Sequence, residues 1–420
     1  MRRSAARALC GAFLLLASSQ FDLFAGIVTY GLVKQNRLSS SSTKHVQWIP
    51  IEAGEILGRI AVIAGDGVGP EVVRESLRVL ELVADSDPDV SFFFEFFPWG
   101  TEYYLDTGEM MPADGLETLA GYDAILFGAV GSPRVKDHIT LRELLLRIRF
   151  GFDQYVNLRP VKLLPGVPSP LADAEPDDID AVFVREATEG EYAGIGDRLY
   201  PGSEREVALQ TAVFSRFGTQ RVVRWAFELA RREGRTVTSV SKANALQYSG
   251  VLWDEVFDEV ASEYPDVSTH RLLVDAAAMF LVREPRRFEV VVASNLYADI
   301  LTDLGAALMG GMGLAPSANL NPERRFPSMF EPIHGSAPDI QGTGCANPIG
   351  SIWSAALMLE HLGHAAWADR IVRAIRSTVA APDTRTPDLQ GTASTSEVGD
   401  AVLRSLESLP TDPLQDATPA

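Results

Sequence analysis

Residues 58–84 read GRIAVIAGDGVGPEVVRESLRVLELVA, and the order of residue types in this stretch sets the fold class. Arg59–Ile63 is a short apolar run of strand type. Gly65–Pro70 interrupts it as a turn. From Glu71 to Ala84 the apolar positions recur at helical spacing. Pro70 suits the first helical turn, where its missing N–H would have no partner anyway. Strand, glycine turn and helix together invite a dinucleotide-binding assignment. The spacing argues against it: this is G-x-G-x-G-P, not G-x-G-x-x-G, and no acid follows a second strand at the expected distance. A conventional Rossmann site is not expected.

The alternation continues downstream. Ser91–Phe97, Ala124–Phe127, Ile179–Val184, Val237–Val240, Arg271–Val274 and Glu289–Ala293 are short apolar runs. Helical patterns lie between them, as at Val222–Arg232 and Val251–Tyr264. Such alternation predicts an α/β protein with a largely parallel sheet. The chain of 420 residues is long enough for two or three domains. A net charge of −19 argues against a nucleic-acid partner. Cys10 and Cys345 give neither a disulfide framework nor a metal cluster, and the histidines show no H-x-x-x-H spacing.

Residues 1–57 differ in composition from the rest. Arg2, Arg3, Arg7, Lys34, Arg37 and Lys44 face one acid, Asp22, within residues 1–45. The apolar run Ala12–Ala17 and the polar run Ser39–Thr43 fit a signal peptide, an organellar transit peptide, or an extension from an over-long start. The apolar runs fall short of the ~20 residues a membrane span needs, so no membrane partner is expected. The residues from 406 to 420 read as a loose tail.

Residues 291–304, VVASNLYADILTDL, carry the sharpest chemical signal. Asp299 and Asp303 stand four apart on one helix face, flanked by apolar residues. Two acids so placed repel unless a cation offsets them, and a hard divalent ion held by oxygen does so. A solvated acidic face is the plain alternative. Arg149 closes LLLRIR, Arg159 lies in NLRP, and Arg185 follows a strand in FVRE. Guanidinium forks on a substrate carboxylate would explain them, and so would surface salt bridges. Tyr192 lies seven residues after Arg185 and reads as a loop tyrosine. Lys242, just after a strand, is either a buried amine of lowered pKa or a surface lysine. Asp275 ends the strand RLLVD.

Taken together, these segments resemble the β-decarboxylating dehydrogenases, the metal- and NAD-dependent family that acts on 3-isopropylmalate, isocitrate, homoisocitrate and D-malate or tartrate. The resemblance covers about residues 58–405. It rests on GDGVGPE, FDQYVNLRP, VREATEGEY, SKAN, VDAAAM, NLYADILTDLG, and EPIHGSAPDI followed by ANP. The wording looks most like the D-malate/tartrate branch. The resemblance implies two α/β domains with an active cleft between them, 58–154 joined to 310–405 and 155–309 as the second. It implies that Arg149, Arg159 and Arg185 grip carboxylates of a small hydroxy acid. Asp299 and Asp303, with Asp275 of a second subunit, would bind Mg²⁺ or Mn²⁺. Lys242 of that second subunit would be the base and Tyr192 the acid. His334, Gly335, Ser336, Ala337, Asp339 and Asn347 match the NAD-binding positions. A homodimer with shared sites follows, and a cytoplasmic setting, or a mitochondrial one if the leader is a transit peptide.

Two departures touch the substrate. Arg142-Glu143 stands where the branch usually has Trp-Gly, and Ala187 stands where Asn is common. Arg142, Leu145 and Leu146 are one helical turn apart and are expected to line one face toward the substrate's variable group. Leu145, Leu146 and VDAAAMFLV also resemble 3-isopropylmalate dehydrogenase, the enzyme alternative. A non-catalytic subunit of a hetero-oligomer is the alternative from another class. It would have lost site residues, and here they are all present.

Overall fold

The computed structural model describes residues 58–409, so the readings placed on 1–57 and on 410–420 lie outside it. Its frame is a ten-stranded sheet in the order β2-β1-β3-β12-β11-β4-β5-β10-β8-β9. One half holds β1 (Gly58–Gly65), β2 (Phe92–Phe96), β3 (Ala124–Ala129), β11 (Pro316–Leu320) and β12 (Ser328–Pro332). The other holds β4 (Val156–Lys162), β5 (Asp180–Glu186), β8 (Val237–Ser241), β9 (Thr269–Leu273) and β10 (Val290–Ala293). Both wings are parallel: β2, β1, β3 and β12 on one side, β5, β10, β8 and β9 on the other. Helices cover both faces of a parallel wing, so its inner strands tend to be apolar runs. In β3 (AILFGA) and β10 (VVVA) every residue is buried.

The centre is antiparallel, through the β12–β11, β11–β4 and β4–β5 pairs. The sequence reading passed over β4, β11 and β12. Their residues NLRPVK, PSANL and SMFEP are polar for strands because they back the site described below. It also passed over a second, two-stranded sheet, the hairpin of β6 (Gly190–Leu199) and β7 (Val207–Val213), whose tip is exposed.

Four placements are corrected. Asp275 lies in the first turn of helix Val274–Arg283, not at the end of a strand. Arg185 lies inside β5, and Tyr192 lies on β6, not on a loop. The last helix, Thr395–Ser408, runs past residue 405 because Leu406 is buried in the core, so the tail begins later than expected. Among the described residues no helix is long and apolar enough to cross a membrane.

The opening turn is rigid. The Asp66 carboxylate accepts hydrogen bonds from Thr101 N (2.8 Å), Thr101 Oγ1 (2.7 Å) and Gly131 N (2.9 Å). Gly67 has φ +60°, and a Cβ there would lie 1.8 Å from Ser336 O. Only glycine permits that approach, which brings Val68 N within 2.8 Å of the same oxygen. The turn thereby anchors the segment 334–340 over the end of β1.

Candidate active site

Arg149, Arg159, Arg185, Tyr192 and Asp299 line one cavity of about 200 Å³. Each comes from a different element: helix Leu146–Gly151, β4, β5, β6 and helix Asn295–Leu308. The three arginines are 3%, 7% and 2% exposed. Asp299 is the hub for two of them and for Tyr192. Its Oδ1 accepts from Arg159 Nη1 at 3.1 Å and from Arg185 Nη1, and its Oδ2 accepts from the Tyr192 hydroxyl at 2.7 Å. Asn295 Oδ1 fixes Arg185 by accepting from Nε at 2.9 Å and Nη2 at 2.7 Å. Arg159 also donates to Thr302 Oγ1 at 2.7 Å.

The cluster carries more positive than negative charge. Arg149 reaches only Glu331, at 3.5 Å, and Glu331 already accepts from Asn319 Nδ2 at 2.7 Å. The Nε atoms of Arg149 and Arg159 are buried without a partner. Burial, and then the charge of Arg185, pull Arg149 below the usual arginine value and Arg159 down to about 10. Three buried guanidiniums facing two carboxylates form a receptor for an anion, and their forks suit carboxylates. Burial pushes the Asp299 carboxyl upward, but Arg185, Arg159, Tyr192 and Arg149 outweigh it and leave it below the ordinary range. Burial raises the Tyr192 phenol, and the Asp299 charge raises it further, so it holds its proton at neutral pH.

Asp303 shares the helix face with Asp299, as the spacing implied. Its nearest cation is Arg159 Nη1, at 4.0 Å. Burial raises its carboxyl, Arg159 opposes that, and Asp299 adds to it. Asp275 and Lys242 lie elsewhere on the chain and pair with each other. Lys242 is partly exposed rather than buried, and it lines a separate depression with Ser294 and Tyr297. Among the described residues no three His, Cys, Asp or Glu side chains gather as a metal site within one chain. The two acids that do share a face offer only carboxylate oxygen, and Asp303 lacks close neutralisation. That donor set fits Mg²⁺ or Mn²⁺ if a further ligand comes from outside the chain.

His334 and Gly335 enter the same cavity from the end of β12. His334 Nδ1 lies 2.9 Å from Gly335 O, while its Nε2 is buried without a partner. Burial lowers its pKa, so the ring is neutral at pH 7. Ser336 is buried against the Gly67 turn, Ala337 adopts φ 40°, and Asp339 is exposed. Asn347 is already engaged: it donates to Asp388 at 3.1 Å and accepts from Ile349 N at 3.1 Å. It shapes this loop from beneath. The orphaned His334 nitrogen, the bare Gly335 and the exposed Asp339 fit a nucleotide laid along the loop.

Leu145 and Leu146 line the cavity, but Arg142 does not. The reason is local. Leu141–Leu145 is a π-helical turn, so spacing learned from α-helices fails there. Leu141 joins the two leucines, and Arg142 turns outward, where a Cβ on Gly194 of β6 would lie 2.8 Å from its Nη1. The sequence reading also assigned no role to Glu331, Asn295 or Thr302, which position the arginines. Their signal was weak: a lone acid before Pro-Ile-His, and two small polar residues inside an apolar helix.

Residues 59–402 match the isocitrate/isopropylmalate dehydrogenase family. The chain is 50% identical over 349 residues to a probable tartrate dehydrogenase/decarboxylase of Agrobacterium vitis, covering 83% of this chain and 97% of that one. It is 50% identical over 353 residues to D-malate dehydrogenase [decarboxylating] of Escherichia coli (82% and 98%) and to 3-isopropylmalate dehydrogenase of Thermobifida fusca (82% and 97%). The crystal structure of isocitrate dehydrogenase from Methylococcus capsulatus superposes with a TM-score of 0.76 at 34% identity, over 83% of this chain and 99% of that one. The chain therefore has the two-domain isocitrate dehydrogenase-like fold, belongs to the isocitrate/isopropylmalate dehydrogenase family, and is an oxidoreductase of the decarboxylating dehydrogenase type.

Proposed function

We propose that this enzyme oxidatively decarboxylates D-malate or tartrate, with NAD and Mg²⁺ or Mn²⁺, as a homodimer with shared active sites. The observation that carries the reading is that Arg149, Arg159 and Arg185 line one cavity, Arg159 and Arg185 held by Asp299 and Arg149 by Glu331. A two-carboxylate acid would take over Arg149 and the fork ends now held by Asp299. Asp299 would then be free, with Asp303 and Asp275 of a second copy, to hold the cation. When bound, the cation supplies Lewis-acid stabilisation of developing negative charge, and NAD supplies the hydride acceptor.

The chain's own groups handle the protons. Lys242 of a second copy takes the hydroxyl proton as hydride leaves the carbinol carbon. Loss of CO₂ leaves an electron-rich carbon, and Tyr192, protonated at neutral pH, donates to it. Lys242 and Asp275 sit together but outside the cavity, which supports their delivery from a second copy. Exposed apolar side chains support the same contact: Tyr248 at 82%, Met279 at 45% and Val282 at 45%, with Ile195 and Leu209 at 54% on the hairpin. We assign 58–154 with 310–408 to one domain and 155–309 to the other, with the seam at the β11–β4 pair. His334, Gly335, Ser336, Ala337 and Asp339 would meet NAD, and Asn347 would shape their loop. The Asp339 carboxylate would favour NAD over NADP by repelling a 2′-phosphate. A cytoplasmic setting fits the bacterial relatives and an intracellular cofactor.

The leucine trio Leu141, Leu145 and Leu146 favours a second reading, 3-isopropylmalate, whose branched group wants apolar walls. NADH formation from D-malate, the tartrates, 3-isopropylmalate and isocitrate, with and without Mn²⁺, separates the two. D-malate or tartrate should give the highest kcat/KM. A clear preference for 3-isopropylmalate would overturn the substrate assignment.

A further inference from the structure

A second cavity, of about 280 Å³, lies on the other face of the sheet. Side chains alternate along a strand, so neighbouring residues point to opposite faces. Arg159 and Ser317 line the arginine cavity, and their neighbours Leu158 and Ala318 line this one. The two cavities are therefore back to back across the β4–β11 pair, where the halves of the sheet meet. The second cavity is walled by Trp225 of helix Arg216–Glu233 on one side and Leu357 of helix Ile349–His361 on the other. Leu320 adds to its apolar lining.

The rim is cationic in a chain of net charge −19. Arg232 and Arg324 stand at the mouth with one acid, Glu360. Among the described residues Arg232 has only a long ion-pair contact, 3.8 Å, to Glu233. Arg324 is held at φ 53° by a turn in which its N–H donates to Asn321 O at 2.9 Å, and its Nη2 donates to His361 O. Burial, with Arg324 beside it, lowers His361 to about 4, so its ring is neutral at working pH. The volume is near the lower end for small-molecule sites, roughly 300 Å³.

We propose that this back cavity is a binding site for a small aromatic carboxylate, its ring against Trp225 and the leucines and its carboxylate at Arg232 and Arg324. An indole face and aliphatic walls suit a flat apolar body. Guanidinium forks select a carboxylate over a neutral group of the same shape. The occupant would touch helices packed on both halves of the sheet, directly behind the strands that carry the arginine cavity. Occupancy therefore changes affinity for the hydroxy acid, and the acid changes the occupant's affinity by the same factor.

The probe is phenylacetate, titrated calorimetrically into the full chain with Mn²⁺ present, and phenylacetamide is the neutral control. Saturable one-site binding is expected, at least about tenfold tighter for phenylacetate than for the amide. Arg324→Glu and Arg232→Glu should each weaken it at least about tenfold while circular dichroism and Tm stay unchanged. Excess D-malate should leave the site available and shift the affinity. Absence of saturable binding, equal affinity in both charge-reversal variants, or simple displacement by D-malate would overturn the proposal. The last result would mean that the probe sits in the arginine cavity instead. The amide control and the charge-reversal arms do not depend on which hydroxy acid is the substrate.

Discussion

Asp299→Asn removes a charge with little change in volume, at the point where the arginine cluster converges. Asp299 serves the buried Arg185 and Arg159 and accepts the Tyr192 hydroxyl. Breaking a fully buried ion pair costs about 3–5 kcal/mol because the partner charge is left unpaired. The Asp299 side chain is 29% exposed, so solvent screens part of that and ~2–3 kcal/mol is the expected loss. At roughly 2–4 °C per kcal/mol for chains of a few hundred residues, Tm should fall by about 4–12 °C.

The assay is calorimetry of chelator-treated protein at pH 7.5, with and without D-malate. The acid should restore more Tm to the variant than it adds to wild type, since in wild type it must displace Asp299 from the guanidiniums. The sign of the pH effect is fixed. Asp299 is depressed in the folded state, so its contribution is present above the unfolded value of about 3.9 and is lost as pH falls through the folded value. The gap between wild type and variant should therefore narrow in acid. Turnover with saturating Mn²⁺ should drop by at least ~100-fold. Equal stability of the two proteins, or an equal gain from the acid, would show that Asp299 is not the counter-charge. Full wild-type activity in excess chelator would remove the cation assignment.

Tyr192→Phe should impair protonation of the enol carbon more than hydride transfer, whereas Lys242→Met should stop both; near-wild-type rates for both at every pH would reject these roles. Asp339→Ala should narrow the NAD over NADP preference in kcat/KM, and a wild-type preference for NADP would refute the part given to Asp339. Arg142 lies outside the cavity, so Arg142→Leu should leave the ratio of D-malate to 3-isopropylmalate kcat/KM within about threefold, the range of a surface change; a tenfold swing would place it in the substrate's path. Burial raises Glu186 to about 7, above its unfolded value. Its stabilising effect is thus complete below about pH 4 and is lost as pH rises through 7. Denaturant titrations of wild type and Glu186→Gln should diverge over that interval, and parallel curves would refute it.

Inner strands of the parallel wings such as β3 and β10 were legible because they are buried on both faces and read as apolar runs. The i, i+4 pair Asp299 and Asp303 was legible because helical geometry is local. The polar strands β4, β11 and β12 were not, since a buried Asn157 or Glu331 makes sense only once its partners Ser317, Asn319 and Arg149 are in place. Arg142 was misjudged because a π-turn shifts the helical phase, and no local residue pattern announces one.

By itself the sequence determined the α/β class, the family resemblance and the identity of the charged residues, because periodicity and motif order are properties of the chain. Only the tertiary structure decided which charges meet. It drew Arg149, Arg159 and Arg185 from three elements into one cavity, the first on Glu331 and the other two on Asp299, left Lys242 with Asp275 outside that cavity, and set a second cavity behind them. Those pairings join residues up to 182 positions apart, as in Arg149 with Glu331, and form only when the sheet brings distant strands side by side.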